Sequence, residues 1–378
     1  MSWPLVLLND LSEKIDYGLT ASALDNPSGP RFLRITDLQN DSVNWQKVPS
    51  CDCSQKDIKQ YCLKKGDLVF ARTGATTGKS YLLNDMPENS VFASYLIRVR
   101  PNSKVNPQFL SFFFKSPKYW QQISVMANGA AQPGVNSTKL RDLEIPLPPL
   151  SEQIRIATIL DKADNLCRKR QQAIQLADQF LRSVFLDLFG DPLNPNVSTV
   201  TLGELAELIM GQSPSGSSYN ESGNGSPLIN GPVEFGKYSP TERQWTTSPS
   251  KYAKAGDILF CVRGATAGKL NIADKEYCIG RGVAAIRPKN IKTAKFIFKV
   301  LDLSYDFFQK AGVGSTFINI SKEQLLEFRL PNSSEIEMDE FFTISEYVES
   351  IKGNGEQFLE SSNNEFNSLS QKAFAGEL

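Results

Sequence analysis

The sequence predicts an α+β protein with two similar globular lobes, separated by two long helices that form an antiparallel coiled coil. Three observations predict this fold. One motif occurs twice, a proline-rich junction leads from the first copy into a long helical pattern, and a similar pattern follows the second copy. With 378 residues and 40% hydrophobic content, the chain has room for two or more domains with their own cores.

The duplication is clearest in a motif of fourteen residues. The run GDLVFARTGATTGK at residues 66–79 returns as GDILFCVRGATAGK at residues 256–269, with eight of fourteen positions identical. Further matches place Asn106 and Thr293 as equivalent N-caps of an apolar helix, and Asn136 and Asn319 near the end of each lobe. The offset between copies falls from 190 to 187 and then to 183, which indicates short loop insertions and deletions.

The repeat divides the chain into four parts. Lobe 1 covers residues 1–148, and a central helix covers residues 149–190. Lobe 2 covers residues 191–331, of which residues 191–198 form a linker, and a distal helix covers residues 332–378. Prolines at the end of lobe 1 interrupt both strand and helix, because proline has no N–H to donate.

Both helical segments show an apolar seam with spacings of three and four residues, which is typical of a coiled coil. The central seam comprises Leu160, Ala163, Cys167, Arg170, Ile174, Ala177, Leu181, Val184 and Leu188, with Arg170 as its only polar member. The distal seam comprises Phe341, Ile344, Val348, Ile351, Phe358, Phe366 and Leu369. Gly353 and Gly355 interrupt the distal pattern and predict a weaker or broken helix. As an alternative to a coiled coil, each helix covers its own lobe, although a helix of about 57 Å would overhang it.

The net charge is zero, but the charges are unevenly distributed. Residues 1–148 carry 17 basic and 13 acidic side chains, and residues 191–331 carry 16 and 13, whereas residues 332–378 carry 2 and 10. Two mildly basic lobes are therefore masked by an acidic tail, and their charge is compatible with a nucleic-acid partner.

Composition also excludes several classes of enzyme. The chain has no histidine, which excludes Ser/His and Cys/His nucleophile pairs and any histidine base. Its six cysteines include no CxxC pair, so we expect reduced structural thiols and no metal site. No long apolar stretch or secretory signal occurs, and we expect a cytoplasmic protein.

The glycine motif is similar to a phosphate-binding loop, but its spacing argues against nucleotide binding. Such a loop needs four residues between its glycines, and Gly74 and Gly78 enclose three. In the second copy Leu270 follows Lys269, so the magnesium-binding hydroxyl is absent. We therefore expect either a purely structural hairpin or a turn that presents backbone N–H groups and a basic tip, Lys79 or Lys269, to DNA.

The candidate DNA-binding side chains lie close to these motifs, since arginine suits guanine, amides suit adenine and lysine suits phosphate. In lobe 1 they are Arg72, Thr73, Lys79, Gln132, Asn136 and Lys139, and in lobe 2 they are Arg263, Lys269, Arg281, Thr316, Asn319 and Lys322. Asn136 and Asn319 have a second interpretation as caps of the short turn that follows each of them. No catalytic residue is predicted.

The run PLPPLSEQIRIATILDKAD at residues 146–164, together with the repeated glycine motif, resembles DNA specificity subunits of type I restriction-modification systems. The resemblance covers nearly the whole chain. It implies two target-recognition domains joined by two conserved helices, whose antiparallel coiled coil sets the gap between two DNA half-sites. The second junction, Leu-Pro-Asn-Ser-Ser-Glu at residues 330–335, departs from the first.

The resemblance also implies the partners. It implies a non-catalytic chain that binds double-stranded DNA and two methyltransferase subunits, which methylate adenine with S-adenosylmethionine. A restriction subunit that uses ATP and Mg²⁺ can join them, so the cofactors belong to the partners. Two other functions stay open on the residues alone. One is a nucleotide-dependent enzyme built on the glycine loops, which ATP turnover by the isolated chain would reveal, and the other is a protein-binding scaffold.

Overall fold

The computed structural model describes residues 3–24, 29–39, 41–74, 76–127, 134–191, 194, 198–310 and 318–378. Its internal contacts divide the chain into two compact units. Unit 1 comprises Met1–Gln172 and Gly355–Leu378, and unit 2 comprises Ala173–Asn354. Each unit therefore contains one predicted lobe and part of each predicted long helix. Most of the predicted linker at residues 191–198 lies outside the described residues.

Unit 1 is built from short strands and helices around an antiparallel sheet. Its strands are β1 (Leu5–Leu7), β2 (Ser12–Tyr17), β3 (Ala23–Leu24), β4 (Phe32–Leu33), β5 (Leu38–Gln39), β6 (Ser42–Val43), β7 (Ser50–Cys51), β8 (Leu68–Ala71), β9 (Ser80–Leu82), β10 (Val91–Phe92), β11 (Leu96–Pro101) and β12 (Glu144–Pro146). Its helices are α1 (Gln55–Tyr61), α2 (Pro107–Phe113), α3 (Pro117–Ala127), α4 (Ser137–Arg141) and the first part of α5 (Leu150–Phe189). The main sheet has the strand order β2-β11-β8-β9.

Unit 2 repeats this plan. Its strands are β13 (Thr199–Thr201), β14 (Ala206–Met210), β15 (Tyr219–Asn220), β16 (Ser226–Ile229), β17 (Trp245–Thr246), β18 (Tyr252–Ala253), β19 (Ile258–Cys261), β20 (Leu270–Ile272), β21 (Tyr277–Ile279), β22 (Val283–Pro288) and β23 (Arg329–Pro331). Its helices are α6 (Leu202–Leu205), α7 (Ile291–Leu303), α8 (Tyr305–Lys310), α9 (Lys322–Leu326) and the first part of α10 (Glu335–Ala375). The equivalent sheet has the order β14-β22-β19-β20.

The same strand pairing closes each lobe. In unit 1 the first strand β1 pairs antiparallel with the last strand β12, and in unit 2 β13 pairs in the same way with β23. Unit 2 also contains a five-stranded sheet with the order β15-β17-β16-β21-β18. No helix of the described ranges is long and apolar enough to cross a lipid bilayer.

Apolar residues of the sheets and of both long helices form the core of each unit. In unit 1, Phe70 of β8 and Phe109 of α2 share a core with Leu160 of α5 and Phe374 of α10. In unit 2, the buried core includes Phe260, Phe296, Ile297 and Phe308 of the lobe and Phe185, Phe189 and Phe341 of the long helices. Since both helices contribute to both cores, removing either helix would expose apolar surface in each unit.

The long helices α5 and α10 run antiparallel within each unit. In unit 1, the Arg155 side chain donates to the Leu378 carbonyl at 2.7 Å, and Arg170 donates to the Phe358 carbonyl at 2.5 Å. In unit 2, Lys352 forms an ion pair with Asp178. In both units, later residues of α5 thus meet earlier residues of α10, as the predicted coiled coil requires.

Arg170, the polar member of the central seam, is accommodated by α10. Besides the Phe358 carbonyl, its guanidinium bonds the hydroxyl of Ser362 and lies 5.3 Å from the centre of the Phe358 ring. On α10, Ser345 and Ser362 are buried, whereas Ile351 and Phe358 are exposed. The distal seam was therefore predicted wrongly at Ile351 and Phe358, because the buried face of α10 includes the small polar residues Ser345 and Ser362, which an apolar periodicity does not detect.

Gly353 and Gly355 do not break the distal helix, so the prediction of a broken helix was wrong. Helix α10 continues through both glycines from Glu335 to Ala375. A β-carbon on Gly353 would meet nothing within 4 Å, so no close contact requires glycine there. Each glycine costs about 1 kcal/mol relative to alanine, and packing of the rest of α10 outweighs that cost.

Both long helices end at a glycine with a left-handed backbone. Gly190 has a φ of 76° and Gly376 a φ of 83°, which other residues rarely adopt. After the second, the Glu377 N–H donates to the Lys372 carbonyl at 2.8 Å and satisfies one of the last free carbonyls of α10. This explains why these glycines occur at equivalent places in the repeat.

The two junctions start their helices by different means. At the first, the buried amide of Gln153 accepts from the Asn106 N–H at 2.8 Å and donates to the Pro148 carbonyl at 2.9 Å. At the second, Ser334 and Glu337 form a reciprocal pair, in which the Ser334 N–H donates to the Glu337 carboxylate at 2.8 Å. The sequence of the second junction, residues 330–335, differs from that of the first because the start of its helix is stabilised by different side chains.

The match between lobes was predicted wrongly near helices α2 and α7. Asn106 is an N-cap, since its side chain accepts from the Phe109 N–H at 3.0 Å. Thr293, however, lies inside α7, and Asn290 is the cap, with its side chain accepting from the Thr293 N–H at 2.9 Å. Helix α7 begins closer to the end of strand β22 than α2 begins to the end of β11. A single offset between the two copies therefore cannot align both the strands and the helices.

A second register error lies at the end of each lobe. Asn136 caps α4 by accepting from the Lys139 N–H at 2.8 Å, as one of its two interpretations proposed. The equivalent helix α9 is capped by Ser321, which accepts from the Gln324 N–H at 3.2 Å. The structural counterpart of Asn136 is therefore Ser321, and the pairing with Asn319 was wrong by two residues.

This register gives a direct test. We expect Ser321→Ala to lower the free energy of unfolding of unit 2 by about 1 kcal/mol, because it removes an N-cap. Asn319→Ala changes an exposed residue and is expected to cost less than about 0.5 kcal/mol. Urea denaturation of the two variants measures both values, and equal losses would return the capping role to Asn319.

Candidate nucleic-acid interface

In both lobes the glycine motif forms a hairpin between two sheet strands. In lobe 1 it joins β8 to β9, which pair antiparallel with Phe70 opposite Ser80. In lobe 2 it joins β19 to β20 with Phe260 opposite Leu270. A strand therefore follows Lys79 and Lys269, whereas a phosphate-binding loop leads into a helix. The geometry disfavours the nucleotide-binding alternative.

The backbone N–H groups at the end of this hairpin are used within it. The Gly78 N–H donates to the Ala71 carbonyl and the Lys79 N–H to the Thr76 carbonyl, each at 2.9 Å. In lobe 2, the Gly268 and Lys269 N–H groups make the equivalent bonds. These N–H groups are therefore used inside the hairpin, whereas the Lys79 and Lys269 side chains at its tip are exposed.

The second glycine of each hairpin packs on a helix. A β-carbon on Gly78 would lie 3.1 Å from Ile123 Cγ2, and the Tyr119 hydroxyl donates to the Gly78 carbonyl at 2.5 Å. Burial raises the pKa of Tyr119, which keeps this hydroxyl protonated and able to donate. In lobe 2, a β-carbon on Gly268 would lie 3.2 Å from Phe308 Cβ. Both hairpins are therefore rigidly placed.

Arg72 of lobe 1 is exposed immediately after β8. Its guanidinium lies 5.0 Å from the centre of the Tyr17 ring, and its carbonyl accepts from the Val135 N–H at 3.1 Å. Burial raises the pKa of Tyr17, but the hydrogen bond from Ser137 and the Arg72 cation outweigh it, so that the pKa is lowered. The ring thus holds the arginine in place without neutralising it.

The remaining candidates of lobe 1 differ in accessibility. Thr73 is exposed beside Arg72. The Lys139 ammonium group donates to the carbonyls of Met126 at 2.5 Å and Gly134 at 3.4 Å, so it is partly occupied inside the lobe. Gln132 lies outside the described residues.

In lobe 2 the structure brings three candidates to one end of the main sheet. Arg263 follows β19 and pairs antiparallel with Asn319, and both are exposed. The Val262 N–H donates to the Gly282 carbonyl at 2.9 Å, which places Arg281, next to Gly282, beside the same strand end. Lys322 is exposed at the start of α9, and Thr316 lies outside the described residues.

Lys79 and Lys269 are exposed at equivalent positions, and each lines a cavity of its own unit. The cavity at Lys79 has a volume of about 360 Å³ and also contains Asp41, Asp164 and Arg168. These acids have other partners, since Asp41 pairs with Lys115 and Asp164 with Arg168, each at 2.8 Å. The cavity at Lys269 has about 310 Å³ and includes Asp302.

None of the exposed basic candidates pairs with a carboxylate in the part of the chain that the structure describes; these are Arg72, Lys79, Arg263, Lys269, Arg281 and Lys322. By contrast, Arg98, Arg100 and Arg287 are held by acids within the lobes. Unpaired cations at a sheet end leave charge available for a phosphate or a guanine. Across the described ranges, no cluster of acidic or cysteine side chains could hold a metal ion.

Sequence reasoning missed Tyr95. Its side chain is 64% exposed, and its carbonyl accepts from the Arg72 N–H at 3.1 Å, so it lies at the same sheet end. The sequence feature that could have indicated Tyr95 is a large aromatic residue in the segment Ala93-Ser94-Tyr95, directly before a buried strand. An exposed aromatic beside an unpaired arginine is a common feature of surfaces that bind other molecules.

Comparisons with known proteins agree with this architecture. The family model of the type I restriction modification DNA specificity domain matches residues 3–176 and 194–334. The putative type I restriction enzyme MjaX specificity subunit of Methanocaldococcus jannaschii is 32% identical over 351 residues, which cover 87% of this chain and 82% of that protein. Two matched segments in one chain account for the internal repeat.

Solved structures give the same result. A chain solved in a study of complex assembly and conformational transition of the type I R-M system superposes with a TM-score of 0.58 at 25% identity, covering 100% of this chain and 98% of that one. The type I S subunit of M. genitalium superposes with a TM-score of 0.58 at 16% identity, covering 99% and 96%, and shows the likeness in fold. The predicted α+β fold class is confirmed. The chain belongs to the DNA specificity subunits of type I restriction-modification systems.

Proposed function

We propose that each lobe reads one half of a two-part DNA target and that the chain catalyses nothing itself. The observation that carries this proposal is the repeated sheet end, which presents Arg72 in lobe 1 and Arg263 with Arg281 in lobe 2 without acidic partners in the described ranges. Phosphate contacts supply most of the affinity and base contacts supply the specificity. Since the lobes carry different residues there, the two half-sites differ.

Two methyltransferase subunits, and in some assemblies restriction subunits, carry out the chemistry that the bound sequence directs. Exposed apolar residues on the long helices support protein partners, among them Leu176, Phe180 and Tyr347 in unit 2. S-adenosylmethionine, ATP and Mg²⁺ are held by those partners, because the glycine hairpins lack the helix that a nucleotide phosphate needs. The complex acts on DNA in the cytoplasm.

Methylome mapping tests the proposal. Cells that express this chain with its cognate methyltransferase should carry methylated adenine in a motif of two parts with a gap of fixed length. A short continuous motif, or no modified motif, would contradict it.

The lysines of the two hairpins are expected to contact phosphates. Lys79→Ala or Lys269→Ala should weaken binding of the assembled complex to all DNA sequences and reduce the salt dependence by roughly one phosphate contact each. Lys372→Ala, an exposed lysine on helix α10, is the matched control and should leave the slope unchanged. Fluorescence anisotropy at several salt concentrations measures the slope, and an unaltered slope in both hairpin variants would remove these lysines from the interface.

A further inference from the structure

A tight turn lies beside Arg263 at the end of the main sheet of lobe 2, between strands β21 and β22. The Val283 N–H donates to the Gly280 carbonyl at 3.0 Å, so Arg281 and Gly282 occupy the two central positions of this turn. The Arg281 side chain is exposed, and its N–H donates to the Ser213 hydroxyl at 3.2 Å. The turn thus carries the Arg281 cation at its tip, and the hydrogen bond to Ser213 holds the backbone of Arg281 in place.

The backbone around Arg281 is packed so closely that only glycine fits beside it. A β-carbon on Gly282 would lie 2.2 Å from the Asn230 carbonyl oxygen, and one on Gly280 would lie 2.0 Å from Asn230 Oδ1. On the neighbouring strand, a β-carbon on Gly211 would lie 2.2 Å from the Gly280 carbonyl oxygen. These contacts fix the position of the turn, and a fixed position reduces the entropy lost when its side chain binds.

The equivalent turn of lobe 1 has the same scaffold and different central residues. It lies between β10 and β11, and the Leu96 N–H donates to the Ala93 carbonyl at 2.9 Å. A β-carbon on Gly18 would lie 2.2 Å from the Phe92 carbonyl oxygen, as at Gly211 in lobe 2. The central positions are Ser94 and the exposed Tyr95, where lobe 2 has Arg281 and Gly282.

In each lobe the turn adjoins an arginine that has no acidic partner among the described residues. The Gly282 carbonyl accepts from Val262, the residue before Arg263, and the Tyr95 carbonyl accepts from the N–H of Arg72 itself. Lobe 2 therefore presents two arginines together, and lobe 1 presents one arginine with a hydroxyl and an aromatic ring. The backbone turn and its close approach to Gly18 or Gly211 are common to both lobes, whereas the residues of the turn and the chemistry at its tip differ.

We propose that the two central residues of this turn determine which base pair each lobe selects. Arg281 makes a bidentate contact to the O6 and N7 atoms of a guanine in the lobe 2 half-site. In the lobe 1 half-site, the Tyr95 ring contacts the methyl group of a thymine beside the base pair that Arg72 contacts. This inference rests on the proposed function, because it assumes that the lobes read DNA.

Arg281→Lys tests the inference in the methyltransferase complex. Lysine keeps the charge for a phosphate but loses the planar fork that recognises guanine. We expect one guanine position of one half-site to become degenerate, with discrimination there reduced roughly 5- to 150-fold and the other half-site unchanged. Methylome mapping, together with methylation rates on oligonucleotides altered at that position, measures both effects.

Matched variants separate the possible results. Arg329→Lys changes an exposed arginine of lobe 2 on strand β23 and should leave the motif intact. Tyr95→Ala should relax only the half-site that Arg281→Lys leaves unchanged. Retention of full discrimination in both turn variants would overturn the inference while the wild-type two-part motif still supported the proposed function. A wild-type complex without a two-part motif would instead overturn the proposed function.

Discussion

Phe185→Ala is expected to lower the free energy of unfolding of unit 2 by about 3–5 kcal/mol. Phe185 of helix α5 is fully buried, and its ring centre lies 5.9 Å from that of Phe296 on α7 and 5.4 Å from that of Phe341 on α10. Removing the ring leaves a cavity among three helices, which cannot close unless they move. Guanidinium denaturation of the full chain, followed by circular dichroism, measures the loss.

Phe180→Ala provides the matched control, since it makes the same substitution on the same helix. Its side chain is 54% exposed, so we expect a change within about 0.5 kcal/mol in the isolated chain. Similar losses for the two variants would contradict the role assigned to Phe185 in the shared core, because alanine is the better helix former and helix propensity alone cannot lower the stability.

Asp16→Asn is expected to cost unit 1 about 3–5 kcal/mol, because it leaves a buried guanidinium without its counter-charge. Arg98 is fully buried and donates to both carboxylate oxygens of Asp16, at 2.9 and 2.5 Å. Its remaining contacts are neutral, such as the Cys62 carbonyl at 2.8 Å. Asparagine has nearly the same shape as aspartate, so the loss reports charge and not a cavity. Urea denaturation measures it.

Two comparisons make this result specific. Glu152→Gln removes the acid of a solvent-exposed ion pair with Arg155 and should cost clearly less than Asp16→Asn, because water screens this pair. In unit 2 the position of Arg98 is taken by Ala285, so the Asp16→Asn loss should appear only in the unfolding transition of unit 1. A cost below that of Glu152→Gln would contradict the role assigned to Asp16 as the counter-charge of the buried Arg98 guanidinium.

The repeat and the central helix could be predicted from sequence because both are local patterns. The glycine motif marks two hairpins, and the seam of the first long helix has Leu160, Ile174 and Leu181 buried as its spacing predicts. The boundaries and partners of the short elements could not be predicted. Asn319 was matched with Asn136 because both are asparagines, yet Ser321 fills the equivalent cap.

The candidate site was predicted in part for a related reason. Arg263 and Arg281 are separated in sequence and meet only because β19 pairs with β22, a register that the sequence does not reveal. Tyr95 was missed for the same reason, since its position beside Arg72 follows from the pairing of β8 with β11. Side chains that strand pairing brings together leave no fixed spacing in the chain.

The continuous helix across Gly353 and Gly355 has a consequence for the motion of α10. Glycine gains more backbone freedom than any other residue when a helix opens, so the hydrogen bonds around these two residues have the lowest local opening free energy of the helix interior. We expect amide protons there to exchange with solvent through brief local openings. Those near Phe341, which is buried in the core of unit 2, are expected to exchange more slowly.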